Sequence, residues 1–406
     1  MSTEDTGSPA QSPIRVLMPI MTFVFMVYLN IGLAMPVLPL HVHQDLGFDT
    51  FVVGLVAGAP FAAAIFSRLL AGRFADRWGG RYAVVSGLAL AIASGGFCLL
   101  STASSRERVI SLGVLVLGRL LLGAAESFII TGALSWGMGL LGPGHSGRTI
   151  AWVGAAIYAA YGAGAPMGTL LYHRHTFTGI AVVTTLLPLV TLPLVLSLPK
   201  AEPVKGDHVP FLDVARQVWQ PGLALALSGV GFGAVTTFVS LLYVSRGWGS
   251  SWLCLTAMSV AFMAGRGLLG HLPDQRGGSR VAMVCLLLQA FGLFLVWSAP
   301  WSGVALGGVI LSGLGCSLVY PGLGAEVVRR TSHGARGTAM GTFTAFFDLS
   351  LGASAPALGW MAGRTGLASV FLASGLLALG AAGMAFHVLP GQDPAGEHPE
   401  SALVPE

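Results

Sequence analysis

The chain carries one pattern of charged residues and glycines twice, as RLLAGRFADRWGGR at residues 68–81 and as RGLLGHLPDQRGGSR at residues 266–280. Arginine, glycine, aspartate and glycine recur at offsets of 0, 4, 8 and 11 in both stretches, which begin 198 residues apart. Each stretch ends a long apolar run. A repeat of nearly half the chain length indicates two similar halves, because the units of a solenoid recur about every 20–50 residues.

A second repeat supports the duplication. GAGAP at residues 162–166 corresponds to GASAP at residues 352–356, at an offset of 190. The two offsets agree closely, so each half contributes one copy of both patterns. Gly162 and Pro166 therefore match Gly352 and Pro356, and we expect these four residues to let their helices approach neighbours closely and flex.

The composition is that of a membrane protein. Charged residues make up 9% of the 406 residues and hydrophobic residues 54%, whereas a soluble chain carries about 25% charged residues. The pattern predicts an all-α integral membrane protein with 12 transmembrane helices in two pseudo-symmetric six-helix bundles. The predicted spans are residues 14–40, 51–71, 83–100, 109–140, 150–171, 180–198, 222–244, 252–270, 281–299, 303–326, 337–360 and 367–389.

Arginine and lysine predict the orientation. Thirteen of them fall on the side of the N-terminus and five on the opposite side, so the positive-inside rule places both termini in the cytoplasm. The predicted segments are a cytoplasmic N-terminal segment (1–13), the N-terminal half (14–198), a cytoplasmic linker (199–221), the C-terminal half (222–389) and a cytoplasmic tail (390–406).

Several functional classes are disfavoured. The formal charge of +4 is small and the arginines are dispersed, so we expect no nucleic-acid partner. The four cysteines lack metal or redox spacing, and the chain has no phosphate-binding Gly-Lys-Ser/Thr loop. We find no convincing nucleophile–base set. The sequence therefore predicts neither an enzyme nor a metal site nor a cofactor, and its expected partners are the lipid bilayer, protons and a small molecule.

The motifs resemble those of the major facilitator superfamily. Residues 72–81 resemble its signature loop, Arg119 with Gly123 its second motif, and residues 162–166 its antiporter motif. The whole chain is similar to the bacterial sugar- and drug-efflux-like branch, especially YhhS/YfcJ-type inner-membrane permeases. The stretches that suggest this branch are residues 35–40, 51–55, 118–126 and 229–232. The resemblance implies a monomer in the bacterial cytoplasmic (inner) membrane.

The signature loop is the candidate gate. In the superfamily's fold, Asp76 would face the N-terminus of the eleventh helix and Asp274 that of the fifth, where free N–H groups favour an anion. Such contacts would form a latch at the cytoplasmic side; the alternative is a capping carboxylate that only shapes the loop. The candidate gating residues are Arg68, Gly72, Asp76, Arg77, Gly79, Arg81, Gly270 and Asp274.

Three ionisable residues fall well inside predicted spans: Arg119, Glu126 and Asp348. Because a charge at the bilayer centre costs about 2.5–3.5 kcal/mol, such residues normally line a cavity and carry protons or bind substrate. The alternative is a buried ion pair of Arg119 with Asp348 or Glu126, retained for helix packing. Asn30 is a further candidate for the cavity, or else bonds to a neighbouring helix.

The leading hypothesis is a secondary transporter that exports a drug-like molecule, sugar or metabolite in exchange for protons, with the proton gradient as its energy source. It would work by alternating access between the two halves. The first alternative is a proton-coupled importer of a sugar or organic acid. A remote alternative is a receptor, for which paired carboxylates at mid-membrane have no obvious use.

Overall fold

The computed structural model describes residues 13–142, 146–201, 211–331 and 336–388, and within them it contains helices and no strand. The helical run Ser146–Ser197 has non-helical backbone angles at His175 and Thr176 and so divides into two helices. The first half contains α1 (Pro13–Ala34), α2 (Thr50–Trp78), α3 (Gly80–Ala103), α4 (Arg108–Leu141), α5 (146–174) and α6 (177–197). The second half contains α7 (Phe211–Ser245), α8 (Trp252–Leu269), α9 (Gly278–Ser298), α10 (Ser302–Arg330), α11 (Arg336–Thr365) and α12 (Ala368–Val388).

Several helix boundaries differ from the sequence expectation. The helix α2 continues to Trp78 rather than ending at residue 71, so Asp76 lies in its last turn. The helix α1 ends at Ala34, and the chain continues as a short turn Leu38–Leu40 and a π-helical turn His41–Asp45, because prolines at 36 and 39 interrupt the ladder of backbone hydrogen bonds. The helix α7 begins at Phe211 rather than at residue 222, so it includes the last eleven residues of the predicted linker 199–221. Pro221 lies inside this helix.

Ten helical segments of the described residues are long and apolar enough to cross a membrane, and one of them contains both α5 and α6. The helix α11 is absent from that group because Asp348 and many glycine, serine and threonine residues dilute its apolar side chains. A helix of this composition is expected where protein, rather than lipid, surrounds it. Asp348 is indeed buried.

Consecutive helices are joined by short connections and run antiparallel, so the bundle has two faces. We call the end where α1 begins the terminal face, and the opposite end the distal face. Gly79 and Gly277 turn the chain at the terminal face, with φ of 93° and 86°. Only glycine adopts this conformation without strain, which explains the last glycine shared by the two repeated stretches.

The glycine that follows each turn shows the duplication in three dimensions. A Cβ atom on Gly80 would overlap the Gly132 carbonyl oxygen, and one on Gly278 would overlap that of Gly322. These contacts bring α3 against α4 in the first half and α9 against α10 in the second. Equivalent helices therefore approach each other through equivalent glycines.

The two halves meet along two interfaces, α2 with α11 and α5 with α8. In the α2–α11 interface, the Thr50 hydroxyl donates to the Gly359 carbonyl at 2.6 Å, and a Cβ on Gly54 would overlap the Ala355 backbone. In the α5–α8 interface, the Thr256 hydroxyl donates to the Gly162 carbonyl at 2.9 Å. Because α2 and α8 begin at the distal face, these contacts hold the halves together on that side.

Candidate functional site

A cavity of about 360 Å³ lies between the two halves. Its lining comes from α1, α2, α4 and α5 of the first half and from α7, α8, α10 and α11 of the second. It extends to Leu134 and Ile150, which lie within about two turns of the terminal face. Arg266 also lines it, about three turns before Gly277, because a short helix Leu272–Arg276 follows α8. A central cavity of this size, closed on the distal side and reaching towards the terminal side, suits a small organic molecule.

An ion pair joins the two halves at the wall of this cavity. The Nη2 atom of Arg68 in α2 lies 2.6 Å from Oδ2 of Asp348 in α11. The Asp348 side chain is 7% exposed and that of Arg68 is 26% exposed. The sequence placed Arg68 in the loop motif and offered Arg119 as a partner for Asp348. Asp348 instead meets Arg68, because α11 packs along α2 rather than along α4.

Glu126 and Arg119 line the same cavity from α4. Neither forms an ion pair with another described residue, so the packing pair considered from the sequence does not form here. The Arg119 Nε donates a long hydrogen bond of 3.4 Å to the Val56 carbonyl. Glu126 and Asp348 therefore share one cavity, a question that the sequence left open.

Arg266 also lines the cavity, although sequence reasoning did not propose it. Its guanidinium lies 5.7 Å from the centre of the Phe262 ring, and it forms no ion pair with a described residue. The signal for it was present in the sequence. Arg266 opens the second repeated stretch as Arg68 opens the first, so the duplication carries both arginines to equivalent positions.

Aromatic side chains form much of the remaining wall. The Tyr158 ring of α5 stacks on Phe262 of α8 at 3.6 Å between centroids, and Tyr161 contacts both Tyr158 at 5.8 Å and Tyr28 at 5.9 Å. These four rings all line the cavity with Phe61, Phe232, Tyr320 and Phe347. The wall therefore offers flat apolar surfaces beside a few charged groups.

Asn30 does not lie among the lining residues. Its side chain is buried, and its Nδ2 donates to the Thr184 carbonyl of α6 at 3.2 Å. Of the two roles considered from the sequence, the structure shows the bond between helices.

The loop motif lies at the terminal face. Asp76 is half-buried, but its expected partner is the N-terminus of α11, and the preceding residues 332–335 lie outside the described part of the chain. Arg77 is exposed, 5.4 Å from the Trp78 ring centre, and Arg81 donates to the Leu196 carbonyl of α6. The latch at Asp76 stays a prediction.

The corresponding residues of the second half are more open. Asp274 is exposed and has no hydrogen bond or ion pair with a described residue. Gly270 has a helical backbone conformation at the end of α8. Gly72, in the first half, has open space where a Cβ would stand, so no close contact in this conformation requires glycine there.

The glycines and prolines of α5 and α11 lie at or near the inter-half interfaces. The Gly162 carbonyl accepts from Thr256 of α8. Gly352 lies against the Ala62 backbone of α2, and Pro356 lies beside Gly54 and Gly58. Pro166 is half-buried inside α5.

Two six-helix halves around a central charged cavity define a membrane transport protein, and comparison with known proteins identifies its family. The family model of the Major Facilitator Superfamily matches residues 20–280 and 252–404. The chain therefore belongs to the Major Facilitator Superfamily, whose members are transporters and not enzymes.

Similar proteins agree with this assignment. The chain is 40% identical over 355 residues to the uncharacterized MFS-type transporter STM4428 of Salmonella typhimurium. The aligned region covers 87% of this chain and 92% of that protein. It is 38% identical over 380 residues to the uncharacterized MFS-type transporter YhhS of Escherichia coli, covering 93% and 94%. The crystal structure of the nucleoside transporter NupG superposes with a TM-score of 0.77 over 92% of this chain and 100% of that one. At 13% identity this last likeness shows the fold alone.

Proposed function

We propose that the protein is a proton-coupled secondary transporter that moves a small molecule across the bacterial cytoplasmic membrane by alternating access. The observation that carries the proposal is the Arg68–Asp348 ion pair, which joins the two halves on the wall of the cavity that Glu126 also lines. Ionisable groups at mid-membrane are the usual carriers of protons in transporters. Protons are the energy source in this proposal, and the working unit is a monomer without a cofactor.

The position of the inter-half contacts supports alternating access. In this proposal the terminal face is cytoplasmic, as the positive-inside rule predicts, and the present conformation faces inward. Moving to the outward-facing state requires α1–α6 to rock against α7–α12. That movement separates Thr50 from Gly359 and Gly162 from Thr256, which are hydrogen-bonded in this conformation.

Protonation of Asp348 would shift the protein between the inward-facing and outward-facing conformations. While its carboxylate is ionised, Asp348 attracts Arg68 and favours the conformation in which α2 and α11 are close. A proton on Asp348 removes this attraction and leaves an unpaired arginine at a largely buried position, which is costly. Proton occupancy therefore shifts the conformational equilibrium. Each proton that enters the cell releases about 2.3 kcal/mol per 100 mV of membrane potential.

The charge of the substrate sets the direction of coupling. A cationic substrate competes with protons for Asp348 and Glu126, which produces exchange and thus export; the sequence resemblance and the glycine-rich α5 favour this mode. An anionic substrate binds more tightly when the carboxylates are protonated, which produces import together with protons. The three arginines of the cavity support the second mode.

We further propose that Asp76 acts as a latch at the terminal face. Its carboxylate would lie against the N-terminus of α11, whose free N–H groups attract an anion. Because the contact forms only when the cytoplasmic ends of the halves approach, it would favour the outward-facing state.

Replacement of Asp348 tests the proposal. The variant Asp348→Asn should insert normally and lose proton-driven flux, because an amide cannot exchange a proton. The measurement is proton movement in energised everted vesicles with a pH-sensitive dye and a panel of lipophilic cations, sugars and organic acids. Glu107→Gln is the matched control, since Glu107 is an exposed carboxylate outside the cavity. Full proton-coupled flux in Asp348→Asn would remove Asp348 from the mechanism.

A further inference from the structure

The charges that line the cavity do not balance. Three arginines and two carboxylates line it, namely Arg68, Arg119, Arg266, Glu126 and Asp348. Arg68 and Asp348 neutralise each other at 2.6 Å, which leaves Arg119, Arg266 and Glu126. The cavity is therefore positive whether or not Glu126 holds a proton. An uncompensated arginine at this depth is costly, and a bound anion would offset that cost.

Arg266 is placed to receive such an anion. It lies three residues before the end of α8 and eleven before the turn at Gly277, the same spacing as from Arg68 to Gly79, and it lines the cavity. The residue of α5 that corresponds to Asp348 in the other half is Tyr158, so no carboxylate stands at the equivalent position. The contact that Arg266 makes instead is with the face of Phe262, at 5.7 Å. This contact leaves its N–H groups without an acidic partner among the described residues.

The aromatic wall indicates the rest of the ligand. The stacked pair Tyr158–Phe262 lies directly beside Arg266, and Tyr161 continues the aromatic surface towards Arg119 on α4. Flat apolar surfaces next to a guanidinium suit a molecule that joins an anionic group to an apolar or aromatic body. A free sugar would require a denser set of polar side chains than this largely apolar lining provides.

We propose that the substrate is an amphiphilic organic anion, with its anionic group held by Arg266 and Arg119 and its apolar body held by Tyr158, Tyr161 and Phe262. This inference rests on the proposed transport function and names the substrate class of the same cavity.

The proposal determines the sign of proton coupling. The groups around Asp348 are Arg68 of α2, Glu126 of α4, Tyr28 of α1 and Tyr320 of α10, and Arg119 and Arg266 line the same cavity. Protonation of either carboxylate makes this set more positive, so it strengthens the binding of an anion. By linkage, the anion strengthens the binding of the proton equally. The anion and the proton therefore bind together and cross in the same direction.

Three aromatic probes of similar size test this proposal: benzenesulfonate, trimethylphenylammonium and benzyl alcohol. The first two keep their charge at every pH of the assay, so neither carries a proton across the bilayer by itself. Binding is followed by thermal stabilisation of the purified protein at pH 5.5 and 7.5. Flux is followed in proteoliposomes that contain a pH-sensitive dye, for the parent protein, Arg266→Gln, Arg266→Lys and Arg364→Gln. Arg364 is the matched control, since it is an exposed arginine on the Trp360 ring, outside the cavity.

We expect benzenesulfonate alone to stabilise the protein, more strongly at pH 5.5, and to draw protons into the vesicles. In Arg266→Gln, the concentration of benzenesulfonate that gives half-saturation should rise by roughly tenfold or more. Arg266→Lys should recover part of this loss of affinity, and Arg364→Gln should match the parent. Preference for the cation or the alcohol overturns the inference, as does an unchanged response in Arg266→Gln with normal thermal stability. If proton flux follows the cation and still requires Asp348, the substrate class fails while the proposed function stands. If benzenesulfonate binds and crosses without protons, the proposed proton coupling fails while the substrate class stands.

Discussion

The α2–α11 and α5–α8 interfaces are equivalent by duplication, yet they are held together differently. Arg68 corresponds to Arg266, and Asp348 corresponds to Tyr158, at the offsets of 198 and 190. The first interface contains an ion pair of 2.6 Å, whereas the second contains an aromatic stack of 3.6 Å and an arginine without a carboxylate opposite it. Duplication preserved which helices meet, while the side chains between them diverged. In our proposal, the first interface takes up a proton and the second offers a cation to a ligand.

The largest difference should appear when each arginine is removed. We expect Arg68→Gln to destabilise the protein by about 3 kcal/mol, because it leaves the buried Asp348 without its partner. Arg266→Gln should change stability by less than about 1 kcal/mol, because it breaks no ion pair. Thermal unfolding in detergent measures both.

A double variant sharpens this result. Arg68→Gln combined with Asp348→Asn should recover most of the lost stability, since no buried charge then remains unpaired. Equal losses in Arg68→Gln and Arg266→Gln would contradict the asymmetry between the interfaces.

A smaller difference should separate the glycines of the two interfaces. In Gly54→Ala, the new methyl group would overlap the Ala355 backbone, so we expect the distal contact to weaken by about 1–3 kcal/mol. In Gly162→Ala, the methyl group would lie 3.3 Å from the Ser259 Cβ, which a slight shift can accommodate. Labelling of cysteines introduced on the distal face would report the opening of that side.

Gly72→Ala is the control within α2, because open space surrounds Gly72 and the helix itself tolerates alanine well. Distal labelling in this control should equal that of the parent. If Gly54→Ala also equals the parent, the close approach of α2 to α11 does not close the distal side.

The smallest difference should lie at the terminal face. We expect Asp76→Asn to lower transport roughly fivefold with normal expression, because the loss of a charge at a helix N-terminus is worth about 1 kcal/mol. Asp274→Asn should retain nearly the parent rate, since Asp274 is exposed and has no partner among the described residues. The measurement is the initial rate of transport in vesicles for both variants and the parent. Equal rates in Asp76→Asn and the parent would argue against the latch.

Sequence reasoning reached the fold because its signals are local. Runs of apolar residues predict spans one at a time, and the repeated stretches at 68–81 and 266–280 indicate two halves without any knowledge of their contacts. The same reasoning selected Glu126 and Asp348, because a charge within an apolar run is conspicuous on its own. It missed the start of α7 because Pro221 resembles a helix boundary.

The partners within the site were not predictable in this way. Arg68 and Asp348 lie 280 residues apart on helices of different halves, and the periodicity of neither helix reveals which face meets the other. The periodicity of α1 likewise does not reveal which side Asn30 faces. Its amide donates a hydrogen bond to the Thr184 carbonyl of α6 rather than lining the cavity.

By itself the sequence determined the membrane environment, the duplication and the identities of the buried charges, because hydropathy and spacing act within one segment. Only the tertiary structure decided that Arg68, rather than Arg119, neutralises Asp348, that Glu126 shares its cavity, and that Arg266 has no acidic partner among the described residues. These outcomes depend on how the helices rotate and cross, which the close approach of glycines to neighbouring backbones sets. The charge balance of the cavity follows from that packing.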